Sequence, residues 1–319
     1  MRMKVLFHDA CFDGAASSAV FCRFIRERID PQVTFTFQGL AHKAGGSAID
    51  PALLDGDQNA IVDFRYSQSP RLTWWFDHHQ SAFQMPGDED AFRADTSGKK
   101  FHDPRAKSCT KFLADTVAAK FGFDPSPLAE LIHWGELIDG AQFPSPAMAV
   151  RLEEPALKLM MVIEASKDPA FVPRVIADMQ KLSLAELVAQ PYVQEPLQPL
   201  FARHQQTMAL VKQKARMEDG VVFFDLGDEA LDNINKFIAY DLFPQARYTV
   251  NVSRGEKRSK VSIGSNPWTP ETRTHDLAKL AETYGGGGHP VVSAISFKPE
   301  ELARARQVAA EIVATLRSA

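Results

Sequence analysis

Cysteine is scarce in this sequence. Cys11, Cys22 and Cys109 are the three present in 319 residues, and no two are spaced as a CxxC pair. That excludes a disulfide framework and a cysteine-based structural zinc site, and it leads us to expect a reducing cytoplasm. Long apolar runs are missing too: none approaches the roughly 18 residues that a membrane-spanning helix needs. The apolar patch after the basic start, Val5-Leu6-Phe7, halts at His8-Asp9, far short of the core of a secretory signal. We therefore expect no membrane partner. Nor is there an excess of positive charge. A net charge of −4 argues against duplex DNA held on a broad basic surface, but leaves room for a local basic groove or a small phosphorylated substrate.

What is present is the make-up of a globular chain. Hydrophobic residues at 45% and charged residues at 24% supply ample core, and the length fits two ordinary domains better than one large one. Val5-Leu6-Phe7 reads as a short strand running into His8-Asp9-Ala10-Cys11-Phe12-Asp13-Gly14, followed by a small-residue helix pressed on a sheet. Gly14 permits the tight strand-to-helix turn. Val33 to Phe37, Ala60 to Phe64 and Leu72 to Phe76 read as further strands. Strands alternating with helices predict a parallel α/β sheet, whose ligands sit beyond the carboxyl ends of the strands. His8, Asp9, Asp13, Asp63 and Asp77-His78-His79 all fall there.

A polar stretch from Gly87 to Asp103 is expected to be a mobile loop. Helices follow from Ser108 to Val117, with a hydroxyl cap, and from Leu128 to Ile138, ending at Asp139. From Pro144 to about Glu218 the pattern is helical and proline-rich, closing with a longer helix through Met217. Strands then return at Val221 to Leu226, Tyr248 to Val252, Ser259 to Ile263 and Val291 to Phe297. Helices are expected from Asn235 to Leu242, Asp276 to Tyr284 and Pro299 to Ser318. The expected architecture is α/β: an N-terminal parallel-sheet domain (1–145), a helical linker (146–217), and a smaller C-terminal α/β domain with a mixed sheet (218–319).

Two constellations carry chemistry. The first is His8, Asp9, Asp13, Asp63, His78, His79 and Asp139. Carboxylates with imidazoles and no cysteine pairs suit Mn²⁺ or a similar divalent ion. So many acids around one ion would leave excess negative charge, which two ions sharing a bridging carboxylate would balance. Cys11 is either a soft extra ligand or a small buried residue, and burial is the preferred reading. The second is Gly285-Gly286-Gly287-Gly288-His289, whose backbone N–H groups are expected to approach a phosphate. Arg254, Lys257, Arg258 and Lys260 add charge nearby, though they read more simply as a solvated hairpin.

On these residues the chain resembles the DHH phosphoesterase superfamily with its DHH-associated C-terminal domain. Asp77-His78-His79 matches the name-giving motif and Gly286-Gly287-Gly288-His289 the GGGH signature. His8 to Gly14, Asp63 and Asp139 stand in the order of the remaining motifs. The resemblance implies a two-Mn²⁺ centre, with Mg²⁺ or another divalent ion as a substitute. Asp63 would bridge and His8, Asp13, His78 and Asp139 would complete the ligands. It implies His79 at the scissile phosphate, and Gly286, Gly287, Gly288 and His289 on the rest of the substrate. The expected activity is hydrolysis of phosphate esters of small nucleotides or short oligonucleotides by a metal-activated water, with Asp63 and His79 as catalytic residues. A polyphosphate or pyrophosphate hydrolase, or a nucleotide-binding sensor without turnover, is the alternative. A homodimer is compatible with all three. The sequence departs from the family pattern at Cys11, which stands where the first motif has an aspartate. It also lacks the arginine often found near Ser262 to Asn266.

Overall fold

Trp74 and Trp75 are adjacent and both fully buried. Successive side chains on a strand point to opposite faces, so the sheet that holds them must be covered on both sides. The computed structural model, which describes residues 1–41, 48–229, 231 and 234–318, shows how. The chain runs β1 (Arg2–His8), α1 (Phe12–Arg28), β2 (Thr34–Leu40), β3 (Gln58–Val62), β4 (Trp74–Asp77), α2 (Asp88–Arg93), β5 (Lys100–His102), α3 (Cys109–Phe121) and α4 (Ala129–Asp139). Among the described residues, β1 to β5 form one sheet in the order β2-β1-β3-β4-β5. Every neighbouring pair in it is parallel. On one face Trp74 meets Phe21, Phe24 and Phe121, all edge-on. On the other, Trp75 meets Tyr66 at a 4.8 Å centroid distance, together with Phe83 and Phe92.

This strand order places a topological switch point between β1 and β3, where the chain leaves in opposite directions and a crevice opens at the carboxyl ends. Phe7 is in register with Val62, so the residues that follow, His8 and Asp63, emerge side by side at that crevice. α1 can begin immediately beside it because position 14 is glycine. A Cβ there would lie 2.2 Å from the carbonyl oxygen of His8.

The chain continues through α5 (Pro146–Arg151), α6 (Pro155–Ala165), α7 (Phe171–Met179), α8 (Leu184–Val188) and α9 (Pro191–Lys214). Then come β6 (Arg216–Glu218), β7 (Val221–Leu226), α10 (Ile238–Leu242), β8 (Tyr248–Arg254), β9 (Ser259–Ser265), α11 (Leu277–Glu282), β10 (Gly287–His289), β11 (Val292–Phe297) and α12 (Leu302–Arg317). Two compact units result. One comprises Met1–Phe143 with Glu153–Gln198, the other Pro144–Leu152 with Pro199–Ala319. In the second unit the described strands form a mixed sheet, β10-β11-β9-β8-β7-β6, in which β7 and β8 are parallel. Tyr248, Val250, Val252, Val261, Ile263 and Ile295 line one face and pack under Leu302, Ala305, Ala309 and Ile312 of α12. The alternate residues Thr249, Asn251, Ser253 and Ser262 put polar groups on the opposite face. No helix among the described residues is long and apolar enough to cross a membrane.

Three elements differ from expectation. The stretch from Gly87 to Asp103 contains α2 and β5, and is anchored where Phe92 and His102 pack against Trp75. A three-residue edge strand shows no periodicity by itself; it forms because β4 offers an open edge. The long helix stops at Lys214, and Met217 belongs to β6, paired with Val222. Asp219-Gly220 forms the two-residue hairpin turn there, with φ of 50° and 78°. An Asp-Gly pair between two apolar runs is the sequence signal for that turn. The glycine run is not an open loop, because Gly287 to His289 pair with Val292 to Ala294 as a hairpin.

Candidate metal centre

His8 ends β1, Asp63 follows β3, and His78 and His79 follow β4. Asp13 lies in the first turn of α1 and Asp139 closes α4. The tertiary structure gathers all six. His78 Nε2 lies 3.3 Å from Asp139 Oδ2, 3.5 Å from Asp63 Oδ1 and 3.8 Å from Asp13 Oδ2. The other ring nitrogen, Nδ1, is 3.0 Å from the carbonyl oxygen of Ala106. Donation to that carbonyl fixes the tautomer that leaves Nε2 with a lone pair for a cation. On the far side of Asp63, its Oδ2 is 3.3 Å from His8 Nδ1 and 3.8 Å from Cys11 Sγ.

Asp63 is held in an uncommon conformation, with φ of 57° in the left-handed region. An aspartate tolerates that region better than a β-branched residue would, at a modest cost in strain. Its N–H still donates to Phe76 O at 2.9 Å, so the β3–β4 ladder continues while the carboxylate swings into the crevice. Asp13, 1% exposed, is positioned by a device that sequence reading missed. Its two oxygens accept the backbone N–H groups of Cys109, at 2.6 Å, and Thr110, at 3.0 Å. The hydroxyl cap of α3 at Ser108 was legible; that the same helix start receives a carboxylate from α1 was not.

These residues fit a divalent cation. Donors that share one ion at about 2.1 Å stand about 3 to 3.5 Å apart, close to the spacings around His78 Nε2. Asp63 Oδ1 and His78 Nε2 are buried without a hydrogen-bond partner, a costly state for polar atoms unless a cation sits between them. The electrostatics agree. Burial, then the charges of Asp63 and Asp139, push the Asp13 carboxyl well above the usual range. Burial and the Asp63 charge likewise raise Asp139. Burial would also raise Asp63, but the neighbouring imidazoles of His78 and His8 hold it at about 2. Burial opposes a charge on His78, yet the neighbouring Asp63 and Asp13 carboxylates lift it to about 10. Without an ion, a proton on His78 does part of the cation's work.

His79 plays a different part. Its Nδ1 lies 2.7 Å from Asp77 Oδ1, and the same oxygen accepts the backbone N–H of His78 at 2.9 Å. Asp77 is fully buried and orients both histidines, while the His79 side chain stays 31% exposed. Burial lowers its basicity, but the Asp77 hydrogen bond and charge outweigh that and raise it. Asp9 is not drawn into the cluster; its Oδ1 accepts the N–H of Ala10. Arg65, two residues beyond Asp63, is buried, with its guanidinium 4.7 Å from the Phe64 ring centroid.

The second unit has its own cavity of about 420 Å³, lined by Lys236, Asn251, Ser253, Lys260, Ser262, Gly287, Gly288, His289 and Ser293, among others. Packing dictates two of the glycines: a Cβ on Gly286 would lie 2.5 Å from Ala294 O, and one on Gly288, where φ is 150°, 2.4 Å from Val292 O. His289 is exposed at the end of β10.

No family model and no curated protein matches the sequence. Solved structures do. PggH, a pGpG-specific phosphodiesterase from Vibrio cholerae, aligns at 17% identity and a TM-score of 0.70, over 98% of this chain and 99% of that one. An exopolyphosphatase-related protein from Bacteroides fragilis aligns at 13% and 0.56, over 100% and 94%. RecJ from Thermus thermophilus, in complex with Mn²⁺, aligns at 14% and 0.50, over 98% of this chain and 52% of that one. The chain thus shares the fold of these proteins, a parallel α/β unit followed by a mixed-sheet C-terminal unit.

Proposed function

We propose that this protein is a metal-dependent phosphoesterase acting on small nucleotides or short oligonucleotides. The observation that carries the reading is the cluster of Asp13, Asp63, His78 and Asp139 at the switch point of the sheet, in which Asp13 and Asp63 are buried and Asp139 is open to solvent. These four would hold one divalent ion, and His8 with the far oxygen of Asp63 would contribute to a second. Such ions, of which Mn²⁺ is our choice and Mg²⁺ a substitute, lower the pKa of a water and neutralise charge developing on phosphoryl oxygens.

The chain's own residues do the rest. Asp63 presents one oxygen to each side of the cluster, which is the geometry of a bridging ligand. Ala106 and Asp77 hold the His78 and His79 rings in place, so little reorganisation is needed when substrate arrives. With Nδ1 of His79 engaged by Asp77, Nε2 is the atom it offers to a phosphoryl oxygen. Its raised basicity favours a proton there, as an electrophilic group requires.

The second-unit cavity would bind the nucleotide, with Gly287, Gly288 and His289 in its lining and Gly286 preceding them in the chain. Lys236, Lys260 and His289 suit phosphate oxygens, while Asn251, Ser253 and Ser262 suit the polar edges of a base or sugar. A bare polyphosphate would have no use for the neutral polar groups of Asn251, Ser253 and Ser262, which favours a nucleotide. The free cysteines fit a reducing compartment. The test is a Mn²⁺-supplemented panel of pGpG and other linear dinucleotides, short oligoribonucleotides, phosphoadenosine phosphate, cyclic dinucleotides and polyphosphate. Turnover of nucleotide substrates that disappears in Asp63→Asn is the expected result. Preference for polyphosphate, or tight nucleotide binding without turnover, would overturn it.

A further inference from the structure

The two sides of Asp63 are chemically unequal. On one side stand Asp13, His78 and Asp139, all oxygen and nitrogen donors. On the other stand His8, Cys11 and Asp63, whose ligand atoms all lie within 4.8 Å of one another. Cys11 occupies the N-cap position of α1, yet its side chain makes no capping hydrogen bond. Its Sγ is turned instead toward Asp63 Oδ2, at 3.8 Å. The residue is therefore not packing filler, since filler would face the apolar side of α1 as Cys22 does. The alternative replacement for a missing carboxylate, Asp9, is occupied with the Ala10 N–H and lies outside the cluster.

We infer that Cys11 ligates the second ion through sulfur, making a mixed centre with one hard position and one thiolate-bearing position. This rests on the metal-centre reading of the proposed function. On binding, the S–H bond breaks, the proton passes to solvent buffer, and a sulfur lone pair forms the bond to the ion; no electrons change hands. Thiolate ligands favour borderline and softer ions, so the His8–Cys11–Asp63 position selects Zn²⁺, Fe²⁺ or Co²⁺ over Mg²⁺, whereas the all-oxygen-and-nitrogen position does not. One protein would then hold two unlike ions.

The test is a Co²⁺ titration of the chelated full-length chain, followed by absorbance and by metal analysis. Wild type should develop a near-ultraviolet thiolate-to-cobalt charge-transfer band that grows with one of two bound equivalents. Cys11→Ser should lose the band. Cys11→Asp should also lose it while retaining both equivalents, and its preference for Zn²⁺ over Mg²⁺ should narrow by roughly tenfold or more. Two bound equivalents with no band, or a band that survives in both variants, would overturn the assignment of Cys11 alone. No cobalt bound to wild type would overturn the metal-centre reading itself.

Discussion

The buried carboxylate of Asp13 receives the backbone N–H of Cys109 at 2.6 Å, tying the first turn of α1 to the first turn of α3. The residue therefore has a structural duty besides any metal. Asp13→Ala should lose metal and also unfold more easily in the chelated state, by about 1 to 2 kcal/mol, the usual cost of removing a helix cap. Asp139→Asn has no such cap to lose and should reduce metal content with little change in stability. Urea titrations of the two chelated variants separate these outcomes.

Asp63→Asn keeps a side chain that tolerates the left-handed backbone and removes the charge shared by both halves of the centre. Hydrolysis should fall by roughly a thousandfold or more, with bound metal well below wild type while the fold persists. Near-normal turnover in this variant would sink the mechanism.

His79 is exposed enough to meet substrate and makes its short contact with Asp77 rather than with the carboxylates around His78. His79→Ala should lower kcat by about a hundredfold to a thousandfold, as for loss of one preorganised donor, with metal content unchanged. Asn251→Ala and His289→Ala, in the second-unit cavity, should instead raise KM several-fold for nucleotides and leave kcat nearly intact. Steady-state kinetics with metal analysis distinguishes the two classes.

Proton and metal compete for the same cluster. Because His78 is raised to about 10 in the ion-free chain, an arriving cation must displace its proton at neutral pH. Apparent metal affinity should therefore rise by about tenfold per pH unit at neutral pH and level off above about 10. Calorimetry in buffers of different ionisation enthalpy should count that proton. The sign for stability is opposite. The contribution of protonated His78 to the chelated chain is complete below about 6.5 and is lost as pH rises toward 10. That of Asp63 is present above its ordinary value and is lost as pH falls through about 2.

Gly288→Ala places a Cβ 2.4 Å from Val292 O at a φ of 150°. We expect a destabilisation of about 2 to 3 kcal/mol, from backbone strain and a disturbed β10–β11 hairpin. The defect should appear in nucleotide binding and thermal unfolding, with metal binding by the first unit unchanged.

The sequence by itself determined the parallel sheet, because buried β-branched and aromatic runs alternate with helical stretches, and it placed His8, Asp63, His78 and His79 at strand ends by simple period counting. It also carried the Asp219-Gly220 turn signal between Met217 and Val221. Only the tertiary structure decided which of those strand ends are neighbours. Register between β1 and β3 puts His8 beside Asp63, a relation between residues fifty-five apart that no local pattern encodes. It likewise separated Asp9 from the cluster and turned Cys11 into it, although the two are two positions apart. Chain order says which groups are available at a crevice. The turn leaving β1 and the packing of α1 and α3 decide which of them face it, because side-chain direction is set by backbone conformation and by contacts distant in sequence.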